Sequence, residues 1–295
     1  MPKRALVLGG GGPVGVAWET GLAAGLEQEG VRLADADLIV GTSAGSIVGS
    51  QLALGRSPQD MLATQRELNE GDRPQLRAIR GPIDISGLIA QYVRFYRDGG
   101  PPEEFRKGIG AFALAAETMS EDEWLATFGS VRELQEWPEH PFVCTAIDTA
   151  DGSLVTWDSD SGVELGLAVA SSCAVPGIFP PITIAGRRYM DGGMGSTTNA
   201  GLARGYDKVL VVSVTGGVSS RVSAYPELAE KARARFAAEL DAMRDAGSAV
   251  ELIVPDEEAR EAFGPNLMDP TRRREIAETG LRQGKIEAAR IREWW

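Results

Sequence analysis

The chain has 295 residues, of which 43% are hydrophobic and 24% are charged, which is the composition of an ordinary globular protein. Its net charge of −12 repels phosphate backbones and anionic lipid surfaces, so we expect no nucleic-acid partner and at most transient contact with a membrane. No apolar run reaches the length of a membrane span and no signal-peptide pattern opens the sequence, so we expect a cytoplasmic protein.

Apolar runs in the sequence predict five strands, at Arg4–Leu8, Asp37–Val40, Phe142–Ile147, Lys208–Val214 and Val250–Val254. The segments between them have helical spacing, and strands joined by helices predict a mainly parallel sheet that is covered on both faces. No internal repeat, low-complexity tract or Pro/Ser-rich linker interrupts the sequence. We therefore expect a single α/β domain over residues 1–295.

Helices are expected at Gly15–Glu29, Ala44–Leu54, Ser86–Arg97, Pro226–Ala246 and Thr271–Arg292. In the first of these, Ala17, Gly21 and Gly25 recur at every fourth position and therefore share one face of the helix. Side chains this small predict a close approach of that face to the sheet.

Residues 57–140 form a helix-rich insertion whose helix at Ser86–Arg97 has a broad aromatic and apolar face. Residues 71–107 carry 7 basic and 5 acidic side chains, in contrast to the acidic chain as a whole. Two interpretations fit this pattern: a cap over a substrate pocket, or an amphipathic helix that covers the core.

Four consecutive glycines follow the first predicted strand, and they also have two interpretations. Gly10-x-Gly12-x-x-Gly15 satisfies the dinucleotide fingerprint, with Asp35 and Asp37 at about the distance expected of a ribose ligand. The same bare backbone amides would also serve as hydrogen-bond donors to the oxyanion of an ester under attack. This stretch alone favours neither.

The stretch Gly41-Thr42-Ser43-Ala44-Gly45 matches the pattern G-x-S-x-G between a predicted strand and a predicted helix. That setting is typical of a nucleophile elbow, in which a tight turn exposes the serine at the start of a helix and requires glycine on either side. The structural alternative is a serine that caps the helix between two packing glycines.

A serine nucleophile needs a base, and the one histidine, His140, precedes a proline in the middle of the chain rather than near its end. We therefore expect His140 to be a loop residue. Asp191, followed by Gly192 and Gly193, is the candidate that remains, because burial against apolar walls makes a carboxylate a stronger base. Taken alone, D-G-G is also a common turn sequence.

Taken together, these motifs and the segment Ala170–Ile182, "ASSCAVPGIFPPI", resemble the patatin-like phospholipase family. The resemblance extends from about Ala5 to Ala200 and implies a three-layer α/β/α sandwich. It also implies a lipid acyl hydrolase without metal or organic cofactor, whose Ser43 attacks the acyl carbonyl and whose Asp191 acts as base and then as acid. The implied oxyanion donors are the backbone amides of Gly10, Gly11, Gly12 and Ala44, and the implied elbow glycines are Gly41 and Gly45.

Val14 departs from the family pattern G-G-G-x-[RK]-G, which has a basic residue at this position. This departure keeps open a third hypothesis, a lipid-binding homologue with impaired catalysis, beside the hydrolase and the dinucleotide-binding oxidoreductase. Cys144 and Cys173 are expected to be buried free thiols. The terminal Trp294 and Trp295 would be buried by docking either on the body of the protein or on a second subunit.

Overall fold

A computed structural model describes residues 2–67, 86–127, 136–218 and 225–295. Its strands are β1 (Arg4–Leu8), β2 (Leu38–Gly41), β3 (Phe142–Asp148), β4 (Leu154–Trp157), β5 (Ile182–Ile184), β6 (Arg187–Asp191), β7 (Lys208–Val212) and β8 (Ala249–Ile253). Its helices are α1 (Gly12–Gln28), α2 (Ala44–Ala53), α3 (Pro58–Glu67), α4 (Ser86–Asp98), α5 (Pro102–Ala115), α6 (Glu121–Thr127), α7 (Leu165–Ser172), α8 (Pro226–Asp245), α9 (Glu257–Phe263) and α10 (Arg273–Trp294).

These strands form one sheet in which hydrogen-bonded neighbours follow the order β5-β6-β3-β2-β1-β7-β8, with β4 also paired to β3. The pairs from β3 through β8 along this order are parallel, whereas β4, β5 and β6 pair antiparallel. The predicted mainly parallel sheet is therefore confirmed. The three antiparallel strands escaped the sequence prediction because each is short and its polar residues break the apolar run.

Helices cover both faces of the sheet. Alternate residues of a strand point to opposite faces, and in β1 Leu6 and Leu8 pack beneath α1, α2 and α10. Ala5 and Val7 point the other way, into a second core beneath α8. The α/β/α layering that the resemblance implied is thus present.

The register around β3 decides which loops of the protein meet. β4 occupies one edge of β3, opposite both Cys144 and Ala146. On the other edge, Cys144 pairs with Gly41 of β2, and Ala146 pairs with Asp191 of β6. Because β2 is parallel and β6 antiparallel to β3, the two strands run toward each other and end on either side of Thr145.

The small-residue face of α1 packs on α10 and not on the sheet, which corrects the sequence prediction. A Cβ on Gly21 would lie 2.0 Å from the carbonyl oxygen of Ala277, and one on Gly25 would lie 2.2 Å from that of Leu281. The reason is that α10 contributes glycines of its own to this contact. The two helices therefore approach until their backbones touch.

The helix expected at Ser86–Arg97 is present as α4, and a third apolar cluster connects it to the sheet. In this cluster Leu88 and Tyr92 of α4 meet Ile147 of β3 and Met190 of β6. The rest of the predicted insertion, residues 57–140, includes residues 68–85 and 128–135, which lie outside the described part of the chain. Within the described ranges no helix combines the length and the apolar character that crossing a bilayer would require.

The terminal tryptophans dock on the body of the protein. Trp295 donates its indole N–H to the carbonyl oxygen of Arg32 at 3.2 Å, and the guanidinium of Arg4 lies over its ring. The Lys208 ammonium lies 5.9 Å from the centre of the Trp294 ring. Docking on the body of the protein thus accounts for both tryptophans without a second subunit.

Candidate active site

Ser43 lies on a strained turn between β2 and α2. Its φ of 53° and ψ of −113° are rare for a residue with a side chain, and such strain is concentrated at functional sites. Glycines make the turn possible: a Cβ on Gly45 would lie 2.1 Å from the carbonyl oxygen of Leu8, and one on Gly41 would lie 2.6 Å from Ser46 Cα. Glycine is therefore sterically required at both positions, as expected of a nucleophile elbow.

The backbone of this turn is fixed by hydrogen bonds. The Ser43 amide donates to Ser172 Oγ at 2.9 Å, and its carbonyl oxygen accepts from Ser46 Oγ at 2.6 Å and from Cys173 Sγ at 3.3 Å. Burial, reinforced by the charge of Asp191, raises the pKa of the Cys173 thiol, so the thiol remains protonated and able to donate. Both cysteines are buried and free, as predicted.

Asp191 is the last residue of β6 and is 3% exposed. Its Oδ1 accepts the backbone N–H of Gly193 at 2.7 Å, so the tight turn that follows orients the carboxylate. A Cβ on Gly192 would lie 2.2 Å from Thr145 Oγ1, which explains why glycine follows the aspartate.

The Ser43 turn and the Asp191 turn are connected by a buried polar network that the sequence did not reveal. Thr42 Oγ1 and Thr145 Oγ1 lie 3.0 Å apart, at the point where β2 and β6 end on the edge of β3. The side-chain amide of Asn199 donates to both hydroxyl oxygens and to the carbonyl oxygen of Gly192, at 3.0, 3.2 and 3.3 Å. No motif or spacing identifies Asn199, since its partners are distant in sequence.

The glycine loop places backbone amides beside Ser43. A Cβ on Gly10 would lie 3.4 Å from Ser43 Cβ, so the loop passes directly over the serine. The Gly10 amide donates to the carbonyl oxygen of Thr197 at 2.8 Å and is therefore occupied, contrary to its expected role as an oxyanion donor. Within the described ranges, the amides of Gly11, Gly12 and Ala44 have no acceptor in the protein.

A cleft with about 550 Å³ of empty space joins these features. Its described wall consists of Gly10, Gly11, Gly12, Ser43, Tyr92, Val175, Asp191, Gly193, Met194, Thr197, Thr215, Leu267 and Met268. Most of the described wall is apolar or bare backbone, as in small-molecule sites. Helices α1 and α2 both begin at this cleft, and their N-termini favour negative charge there.

Leu267 and Met268 reach this cleft from the loop between α9 and α10. The Leu267 carbonyl oxygen accepts the Val14 amide at 3.3 Å, and a Cβ on Gly12 would lie 2.8 Å from Met268 Sδ. Val14 itself is 1% exposed, so its side chain belongs to the core and not to the loop surface. A late segment of the chain thus holds the start of α1, at the position where the family pattern has a basic residue.

The sheet topology contradicts both the dinucleotide-binding alternative and a histidine base, because Asp37 and His140 lie at the end of the sheet opposite the glycine loop. Asp37 precedes β2, and its carboxylate accepts the backbone N–H of Arg4 at 2.7 Å, at the amino ends of the strands. The glycine loop follows Leu8 at the carboxyl ends, about 13 Å farther along at ordinary strand rise. His140 precedes β3 and therefore lies at the same distant edge.

Comparison with known proteins finds one family. The model of the family Patatin, described as patatin-like phospholipase, matches residues 6–204. Lysophospholipase NTE1 of Debaryomyces hansenii is 26% identical over 188 residues, which is 64% of this chain and 10% of that protein. Lysophospholipase NTE1 of Candida albicans is 25% identical over 218 residues, or 73% and 13% of the two chains. This chain therefore spans only about a tenth of the length of the curated relatives that it matches.

Among solved structures, VipD from Legionella pneumophila aligns with 98% of this chain and 67% of its own at 17% identity, with a TM-score of 0.46.

Proposed function

Because the chain belongs to the patatin-like phospholipase family, we propose that it is a serine-dependent lipid acyl hydrolase with a Ser43–Asp191 dyad. One observation carries the proposal. A serine on a strained turn, a buried carboxylate and unoccupied backbone amides line the same cleft. These are the three parts that acyl transfer from an ester requires.

In the first step, Ser43 Oγ attacks the acyl carbonyl carbon while Asp191 accepts the hydroxyl proton. Negative charge develops on the former carbonyl oxygen. The amides of Gly11, Gly12 and Ala44 are free to donate to it, and each such donor is typically worth about 100-fold to 1,000-fold in rate. Asp191 then returns the proton to the departing alcohol as the acyl-enzyme forms.

In the second step, Asp191 takes a proton from a water molecule that attacks the acyl-enzyme. The resulting hydroxide adds to the carbonyl carbon, and collapse of the intermediate releases a fatty acid and restores the Ser43 hydroxyl with the proton held by Asp191. No metal ion or organic cofactor is part of this scheme. Every proton and electron pair is accounted for by the ester, the water and the two side chains.

The apolar wall of the cleft favours an acyl chain, and the family and its lysophospholipase relatives favour a lipid ester. We therefore propose lysophospholipids, phospholipids or simple lipid esters as the substrate class.

The proposal is tested by intact-mass labelling with a fluorophosphonate, which reacts only with an activated serine. We expect a single adduct on the wild-type protein, no adduct on Ser43→Ala and slow labelling of Asp191→Asn. Ser50→Ala is the matched control, because Ser50 is a buried serine on the same helix whose hydroxyl binds the Ile47 carbonyl oxygen. This control should label at the wild-type rate.

Absence of an adduct on folded wild-type protein would contradict the proposal, and so would an adduct that persists in Ser43→Ala. In the first case the impaired lipid-binding hypothesis would take its place. Circular dichroism of each variant establishes that the loss of labelling is not loss of folding.

A further inference from the structure

A second cleft adjoins the one that contains Ser43. It has about 510 Å³ of empty space, and its described wall shares Tyr92, Gly193, Met194 and Thr197 with the first cleft. Gly193 is the residue whose amide binds the Asp191 carboxylate. The two clefts therefore meet at the Asp191 turn, next to the position of an ester at Ser43.

Aromatic rings from two helices form one side of the second cleft. The rings of Phe95 and Phe105 stack with their centres 4.3 Å apart, and Tyr92 meets Phe105 edge-to-face at 5.1 Å. Tyr96 stacks on Tyr92 at 6.4 Å. Rings packed at these distances hold one another in place and therefore form a rigid surface.

Arg235 of α8 is the one cationic side chain in the described wall of this cleft. Its guanidinium lies 5.2 Å from the centre of the Phe95 ring, a cation–π arrangement that holds it at the rim. Throughout the described ranges no carboxylate lies within ion-pair distance of it. Glu239, one turn farther along α8, lines the same cleft, but its oxygens accept from Ser196 Oγ at 2.8 Å and from the Gly201 amide at 3.2 Å.

The surroundings reinforce the positive charge. Arg106 of α5 lies against Gly195 of the wall, where a glycine Cβ would be 3.4 Å from its Cδ. The pKa of Arg106 is lowered, chiefly by partial burial; the carboxylate of Glu103 opposes this shift, and the positive field of Arg235 adds to it. In a chain of net charge −12, Arg235 and Arg106 thus place two guanidinium groups beside this aromatic wall, where they favour an anionic group of a ligand.

We propose that the second cleft is the subsite for the phosphate-bearing head group of a lysophospholipid, with Arg235 as the side chain that binds the phosphate. The inference deepens the proposed hydrolase function and rests on it. A guanidinium presents paired N–H donors that match two phosphate oxygens, whereas the aromatic rings pack against the carbon atoms of the glycerol. The acyl chain then occupies the Leu267 and Met268 side of the first cleft, whose described wall carries no charged group besides Asp191.

The test compares two short-chain substrates with the same acyl chain, both below their critical micelle concentration. One is lysophosphatidic acid, which carries a phosphate, and the other is the neutral monoacylglycerol. For Arg235→Gln we expect kcat/KM to fall about 10-fold or more on the phosphate ester, through KM, because a hydrogen bond to a charged group is lost. Turnover of the monoacylglycerol should stay within about 2-fold of wild type.

Arg233→Gln is the matched control, because Arg233 is an exposed arginine on the same helix that does not line the cleft. This variant should leave kcat/KM on both substrates unchanged. Arg235→Lys, which keeps the charge but loses the paired donors, should retain part of the preference for the phosphate ester.

Three outcomes would overturn the inference: no effect of Arg235→Gln on the phosphate ester, an equal loss on both substrates, or an equal effect of Arg233→Gln. Inorganic phosphate is added in a further arm as a competitor. Tighter binding of free phosphate than of the phosphate ester would also overturn the inference, since the cleft would then be a phosphate site independent of the substrate. Failure of the hydrolase proposal is separate, because it would abolish turnover of the neutral ester and labelling of Ser43 as well.

Discussion

At the scale of single residues, Asn199 connects the two halves of the candidate site. Its side-chain amide donates to Thr42, to Thr145 and to the carbonyl oxygen of Gly192, so it touches both the Ser43 turn and the Asp191 turn. Its φ of 51° lies in the left-handed region, which asparagine tolerates better than other residues with a side chain. We therefore expect Asn199 to position the two turns, through its side-chain amide and through its backbone conformation.

Two substitutions separate these properties. Asn199→Gly and Asn199→Ala both remove the amide, so we expect both to slow fluorophosphonate labelling about 10-fold to 100-fold by loosening the proposed Ser43–Asp191 dyad. Only alanine strains the backbone, and it should lower the free energy of unfolding by about 1 kcal/mol more than glycine. Labelling rates and urea unfolding of the two variants measure this. Labelling of either variant at the wild-type rate would exclude a positioning role.

Glu19 is a buried polar residue that has no part in the proposed mechanism. It lies on α1, is 1% exposed, and its carboxyl oxygens have no hydrogen-bond partner of ordinary geometry in the described part of the chain. Burial raises the pKa of this carboxyl well above its usual value, and the nearby Gly9 amide opposes the shift only in part. The folded protein therefore keeps this proton to a higher pH than the unfolded chain does.

This difference has a defined sign. Because the folded pKa is raised, the free energy of unfolding falls as pH rises above the unfolded value of about 4.5, by up to about 1.4 kcal/mol per pH unit. Glu19→Gln lacks this proton equilibrium, so its stability relative to wild type should increase between about pH 5 and about pH 8. Urea unfolding at both pH values measures the difference. A difference that stays constant with pH would contradict the assignment.

At the scale of elements, the pairing of α1 with α10 supports the glycine loop. α1 begins at Gly12 of that loop, and its other end is packed backbone to backbone against α10. A Cβ on Gly280 would lie 2.3 Å from the carbonyl oxygen of Trp18, and one on Gly284 would lie 2.4 Å from that of Leu22. A methyl group at either position must therefore push the two helices apart.

Gly280→Ala should lower the free energy of unfolding by about 2 kcal/mol, because overpacking outweighs the gain of about 1 kcal/mol in helix propensity. It should also slow labelling of Ser43, since α1 carries the loop. Gly201→Ala is the control, because a Cβ there meets no atom within 4 Å and its φ is not positive. Thermal unfolding of both variants measures the difference in their stability. Equal stability of the two would contradict the close packing of α1 on α10.

At the scale of the whole molecule, the charge of −12 governs how the protein meets lipid. Repulsion from an anionic surface extends over a Debye length, about 30 Å at 0.01 M salt and about 8 Å at 0.15 M. We expect weaker sedimentation with anionic than with zwitterionic vesicles at low salt, and stronger binding to anionic vesicles as salt is added. The opposite salt dependence would mean that a local basic surface, such as that around Arg235, dominates the encounter.

The sequence by itself determined the features that depend on neighbours along the chain. The strands β1, β2, β3, β7 and β8 were recognised because each is an apolar run. The bounds of β1 are as predicted, and those of the other four differ from the prediction by one or two residues. The turn at Ser43 was recognised because its steric demand falls on Gly41 and Gly45, two positions away. Asp191 was singled out by its D-G-G motif and by the scarcity of histidine, and its role as a base came from the resemblance to the patatin-like phospholipase family.

Only the tertiary structure decided which distant groups meet. β2 and β6 share an edge of β3, and this register brings Asp191 to the cleft of Ser43. The contacts of Asn199, of Met268 and of Arg235 likewise join segments that are far apart in the chain. Each such contact depends on the packing of whole elements, and packing energy is a sum over many weak interactions that leave no local signature.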